Sequence, residues 1–163
     1  MKNQDHQSMR KANGHSDHYK KLMMMTLLSY ISMFVLMYAM VDRMENVVPN
    51  INQFYMAGLM TAPMVIIELM LMGNMYMNKK LNAGLMAISA IALVGFYVGI
   101  RQQAGVNDAQ FLKSMIPHHA GAILMSEKAN LQDPEIRELQ KNIISSQLAE
   151  IALMKRKLKE LEK

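Results

Sequence analysis

Two thioethers and two imidazoles fall within eleven residues at Met115-Ile-Pro-His-His-Ala-Gly-Ala-Ile-Leu-Met125, in a 163-residue chain with 20 methionines and no cysteine. Thioether and imidazole together suit a soft monovalent d10 ion, Cu(I) or its close analogue Ag(I). The candidate ligands are Met115, His118, His119 and Met125. A lone His on an apolar helix face is usually a hydrogen-bonded core residue. Two adjacent His residues with Met on both sides weigh toward ligation. Without cysteine, soft-metal chemistry here rests on thioether sulfur, which forms no disulfide but oxidises to the sulfoxide.

At about 100° per residue, with Met115 as zero, His118 falls at about −60°, His119 at about +40° and Met125 at about −80°. His118 and Met125 therefore share a side, and His119 diverges. Pro117 removes one backbone donor and predicts a kink just before the His pair. The helix carrying these residues is expected from an Asn107 or Asp108 cap to about Ala129. Asp133-Pro134-Glu135 is a restart signal: a capping Asp, Pro at the first helical position and an acid in the first turn. The second helix is expected to reach about Glu160. Its stripe of Ile136, Gln140, Ile143, Gln147, Met154, Leu158 and Leu161 answers the first helix, with Glu150 and Ile151 at its edges. Gln147, Glu150 and Met154 can face the Met/His segment, as ligands or as partners that hold an imidazole in place. Gln140 and Gln147 can equally be polar residues that set the register of a bundle.

Two helices of roughly 60 residues in total bury too little core to stand alone. Pairing of two hairpins into a four-helix bundle is the expected remedy, and hence a homodimer or higher homo-oligomer.

Upstream the composition changes. Leu22 to Val41 and Leu81 to Ile100 carry no formal charge, and Phe54 to Met77 carries only Glu68. About 20 apolar residues span a bilayer core, so three transmembrane helices are expected over residues 21–100. The first apolar run is longer than a signal-peptide core, and no small-residue cleavage site follows, which favours an uncleaved anchor. Lys2, Arg10, Lys11, Lys20 and Lys21 precede the first span, and Lys79 and Lys80 lie between the second and third. Positive-inside topology then makes the N-terminus cytoplasmic and residues 101–163 periplasmic or extracellular, in a multi-pass inner (plasma) membrane protein. The polar residues 1–20 read as a disordered tail. Its His6, Met9, His15 and His18 belong more simply to a solvated tail than to weak metal capture. The net charge of +5 reads as topology, since no basic stripe with interleaved aromatics points to nucleic acid.

Methionine patterns the membrane half as well. Met33, Met37, Met40 and Met44 fall on one helical face, as do Met56, Met60, Met64, Glu68, Met72 and Met75. Such stripes are more often packing than a metal path, but an ionisable Glu68 in mid-span would face a bundle interior or a cavity. Gly95-Phe-Tyr-Val-Gly99 is a short helix-contact motif of low specificity.

The run Phe111-Leu-Lys-Ser-Met-Ile-Pro-His-His-Ala-Gly-Ala-Ile, with Ile144-Ser-Ser-Gln147-Leu-Ala-Glu150-Ile-Ala-Leu-Met154, resembles the domain-of-unknown-function 305 family over about residues 107–163. The stem segment beginning Asn52-Gln-Phe-Tyr-Met-Ala-Gly-Leu-Met resembles its membrane-anchored members. The resemblance implies a ferritin-like helical fold and, for some members, extracytoplasmic copper or silver binding. It matches Met115, His118, His119, Met125, Gln147, Glu150 and Met154 to motif positions. Ser126 and Gln140 depart from it, since related chains often carry Cys near these positions. The expectation is thus an all-α, non-enzymatic protein that sequesters or hands over Cu(I) or Ag(I) outside the membrane. The alternative is a copper-permeable transporter with Met56, Met60, Met64 and Glu68 as its path. Its three spans and short motifs resemble the high-affinity copper transporter family, whose orientation is the opposite. A di-iron oxidase is disfavoured because no His here has Glu three residues before it. A ligand-free tethered bundle is the remaining structural reading.

Overall fold

The structure, a computed structural model, describes residues 2–162, with side chains from Asp17 onward. It is all-α: α1 (Lys2–Leu36), α2 (Ile51–Leu71), α3 (Lys79–Arg101), α4 (Asp108–Lys128) and α5 (Pro134–Leu161). No strand occurs among the described residues. Three segments are long and apolar enough to cross a membrane, Asp17–Met40, Ile51–Leu71 and Lys79–Arg101.

The chain forms two compact units, one of Met1–Phe34 with Tyr55–Gln102, the other of Val35–Phe54 with Gln103–Lys163. This division differs from the one read from sequence, which separates 21–100 from 101–163. The connection between α1 and α2 belongs with the C-terminal hairpin, for reasons given by its hydrogen bonds below.

In the first unit α2 is the central helix, burying Ala57, Gly58, Thr61, Ala62, Val65 and Leu69. A Cβ on Gly58 would lie 2.4 Å from the Phe96 ring of α3, so only glycine admits this approach. Gly99 of the Gly-x-x-x-Gly motif meets the Tyr55 ring, whereas Gly95 faces open space. Of the motif's two glycines, only Gly99 therefore makes a contact, inside the unit. Leu22, Val65, Leu69 and Tyr76 form a small core at one end. There Tyr19 Oη donates to Asn82 Oδ1 at 2.7 Å, and Asn82 Nδ2 donates to the Tyr76 carbonyl at 2.7 Å. α1 runs from Lys2, and its Tyr19 is tied to α3. His18 meets the Tyr76 ring edge-on at 6.3 Å. The side chains of His6, Met9 and His15 lie outside the described residues.

Glu68 is not in mid-span. It lies three residues from the end of α2, and its carboxylate accepts a hydrogen bond from Tyr76 Oη at 3.1 Å. Burial and the Glu68 carboxylate both push the Tyr76 phenol above its ordinary range, which keeps it a neutral donor. Met56 and Met60 are exposed, on a face of α2 away from its buried row, and Met72 is exposed just beyond the end of the helix. The Met33-to-Met44 face is interrupted, because α1 gives way at Leu36 to the 3-10 turns Met37–Met40 and Met44–Asn46.

In the second unit α4 and α5 form an antiparallel hairpin. Asn107 caps α4, its side chain accepting from Gln110 N, and Asp133 caps α5, accepting from Glu135 N and Ile136 N. α4 continues through Pro117. Gln140 donates to the carbonyls of Ser126 and Ala129 and so closes the C-terminal end of α4. Ile116, Ala120, Ile123, Ile151 and Met154 make the core. Val41 and Val48, from the connection between α1 and α2, pack against it. Tyr38 Oη donates to the Val48 carbonyl at 3.0 Å, and Ile51 N donates to Gln110 Oε1 at 3.1 Å. Asn52 Nδ2 donates to Ser114 Oγ at 3.2 Å, and Ser114 Oγ to Asn50 Oδ1 at 3.3 Å. These bonds fasten residues 35–54 to α4.

Candidate metal centre

α4 divides the Met/His segment between two sides, as the helical wheel requires. His119 is buried at 8% exposure, while His118 is exposed and Met125 is 55% exposed. Phe111, His118 and Met125 are all exposed and recur at intervals of seven, so they form one stripe along α4. The inner set is different. Met115 is half-buried and packs against the core that contains Met154. Within one chain, then, Met115, His119 and Met154 belong to the packed interior of the hairpin, and His118 and Met125 to its surface. The rings of His118 and His119 are 6.1 Å apart and inclined at 63°.

Both nitrogens of His119 have partners. Nδ1 lies 2.9 Å from the Met115 carbonyl, which can only accept, so Nδ1 carries the proton. Nε2 lies 2.7 Å from Glu150 Oε2. With Nδ1–H fixed, Nε2 of a neutral ring has its lone pair directed at the carboxylate, and the contact closes only around one additional proton. That arrangement fits a metal-binding histidine: a backbone carbonyl sets the tautomer and leaves Nε2 as the donor atom. Glu150 is half exposed, with 53% of its side chain open, and can leave Nε2 without being stranded. Gln147 is half-buried, one turn before Glu150 on α5.

Among the described residues no three His, Cys, Asp or Glu side chains converge as a metal-binding group. A site for a hard or borderline ion such as Zn(II), which takes His, Cys and carboxylate, is therefore not assembled within them. Sequence reasoning missed the polar cluster of Asn50, Asn52, Gln110 and Ser114. The Asn50-x-Asn52-Gln53 run at the head of an apolar span was its available signal, since polar side chains there need partners.

The architecture defines a class: an all-helical chain with three apolar helices of membrane-crossing length and a Met/His helical hairpin at its C-terminus. The family model described as Domain of unknown function (DUF305) matches residues 68–158, and the chain belongs to that family. The match starts at Glu68 and takes in all of α3, so it reaches well upstream of the hairpin motifs. An uncharacterized protein of Acanthamoeba polyphaga mimivirus is 36% identical over 104 residues, 63% of this chain. The matched region spans 66% of that relative's length, just under two thirds. No solved structure matches.

Proposed function

We propose that this protein is anchored in a membrane by α1, α2 and α3 and binds Cu(I), or Ag(I) in its place, on the extracytoplasmic side, sequestering the ion or handing it on. The observation that carries the reading is His119, buried between Met115 and the α5 helix with its tautomer set by a backbone carbonyl and Nε2 turned to a displaceable carboxylate. On binding, Glu150 would leave Nε2, which would then hold Cu(I), with Met115 and Met154 as the residues that would supply thioether sulfur. His118 and Met125 form an outer pair through which the ion arrives or leaves, or which meets a second hairpin. No bond in a substrate is made or broken, so the protein is a binder and not an enzyme.

Anchoring is supported by the apolar surface that α1 and α3 leave exposed, including Leu27, Leu28, Ile31, Ile88, Ile91 and Val94. Exposed to water, such surface costs about 25 cal/mol per Å2, and a bilayer removes that cost. Lys20, Lys21, Lys79 and Lys80 favour a cytoplasmic placement of their end of the unit, in the inner (plasma) membrane. Exposed Phe111, Met125, Ile136 and Leu139 favour pairing of two hairpins into a four-helix, ferritin-like bundle. Nothing in the placement of Met56 or Met60 favours the transporter reading.

Anaerobic Cu(I) titration of the purified protein against a chromophoric chelator tests the proposal. The expected result is stoichiometric binding that the double substitution His118→Ala/His119→Ala abolishes. Undiminished binding in that variant would falsify the site, and a stronger preference for Zn(II) would overturn the thioether argument.

A further inference from the structure

The three helices of the first unit leave a groove of about 360 Å3, whose lining includes Met23, Thr26, Thr61, Ala62, Ser89 and Ala92. This is within the range of ligand sites, about 300–1,000 Å3. The hydroxyls of Thr26 and Thr61 donate within their own helices, to the carbonyls of Leu22 and Ala57 at 2.8 Å each. Both threonines therefore turn methyl groups to a predominantly apolar groove. Such a lining suits a hydrocarbon chain and penalises a polar solute or an ion.

One end of this unit is basic. Met23 follows Lys21 by two residues, and the bonds from Tyr19 to Asn82 and from Asn82 to Tyr76 bring the start of α3 to the same end. Lys20, Lys21, Lys79 and Lys80 are all exposed there. Among the described residues, the carboxylates near this end are Asp17, whose Oδ1 is 3.8 Å from Lys20 Nζ, and Glu68, which is engaged by Tyr76. An apolar groove that begins beside an excess of lysine has the two-part chemistry of a phospholipid.

The geometry points to a bound anionic phospholipid, with one acyl chain in the groove and its phosphate among Lys20, Lys21, Lys79 and Lys80. This inference rests on the membrane anchoring proposed above. A second copy is the poorer occupant: in the same membrane orientation it brings its own four lysines to this end, and like charges oppose the contact. An anionic headgroup neutralises them, as juxtamembrane lysines do at anionic leaflets.

The test is native mass spectrometry of the full chain, taken from nanodiscs holding equal amounts of phosphatidylglycerol and phosphatidylcholine with identical acyl chains. The wild type is expected to retain phosphatidylglycerol about tenfold over phosphatidylcholine. Combined substitution of the four lysines by Gln brings the two lipids to parity, and Ala92→Phe, which fills the groove, removes the adduct. Equal retention of both lipids by the wild type overturns the proposal, as does retention unchanged in Ala92→Phe. Loss of a dimer mass in Ala92→Phe, without a lipid adduct in the wild type, assigns the groove to a second copy and also overturns it. Carbonate extraction separates the two readings. A chain that stays with the membrane but selects no lipid loses only the lipid site, whereas a chain released by carbonate loses the anchoring as well.

Discussion

His118 and His119 are neighbours in the chain and opposites in the structure. His119 is buried with both ring nitrogens engaged, and His118 is exposed. Truncating a buried, hydrogen-bonded side chain removes both its packing and its bonds, at a cost of about 1–3 kcal/mol. His119→Ala is therefore expected to lower stability by about that amount, while His118→Ala stays within about 0.5 kcal/mol of wild type. Unfolding in mild detergent, followed by circular dichroism, compares the two, and equal losses would remove the distinction drawn between them. A similar pair of glycines separates motif from contact. Gly58→Leu drives a side chain into the Phe96 ring, and overpacking of this kind costs about 1–3 kcal/mol. Gly95→Leu points into open space. Only the first should lower the unfolding temperature. The sequence marked Gly95 and Gly99 by their spacing and passed over Gly58, because a close approach depends on which helix lies opposite.

Among the elements, α4 and α5 were the most legible. Their caps, Asn107 and Asp133, and the loop between them follow from local chemistry, in which a short side chain accepts from backbone N–H groups two or three residues on. Asp133→Ala is expected to cost about 1 kcal/mol, read as a lower melting temperature with the hairpin otherwise intact. A change below measurement error would show that Pro134 alone sets the start of α5. The connection between α1 and α2 was illegible for the opposite reason. Its partners, Gln110 and Ser114, lie about sixty residues away, and no period in residues 37–50 announces them. Asn50 both accepts from Gln53 N at the start of α2 and receives Ser114 Oγ. Asn50→Ala should thus cost more than loss of a cap alone, about 1–2 kcal/mol, and should speed proteolysis between α1 and α2. Protection unchanged from wild type would mean that Val41 and Val48 hold the connection by packing.

Taken whole, the molecule has a hairpin with Val41 and Val48 packed on its core and an exposed stripe elsewhere on α4. If two hairpins complete one metal centre, charges placed on exposed residues that are not ligands will separate them. Phe111→Glu with Leu139→Glu should yield a monomer by light scattering and lower the Cu(I) stoichiometry together. A monomer that binds Cu(I) as the wild type does would confine the centre to a single hairpin. The helical class, the three apolar segments and the candidate ligand types are legible in the chain, because these depend on local periodicity, charge and capping. Equally legible is that His118 and Met125 share a side, since a helix fixes that angle wherever it packs. Folding in three dimensions settles which imidazole is buried, that Glu150 meets it, and that Glu68 lies near a helix end bonded to Tyr76. Each of these rests on contacts between segments distant in the chain, and a linear pattern carries no record of which faces meet.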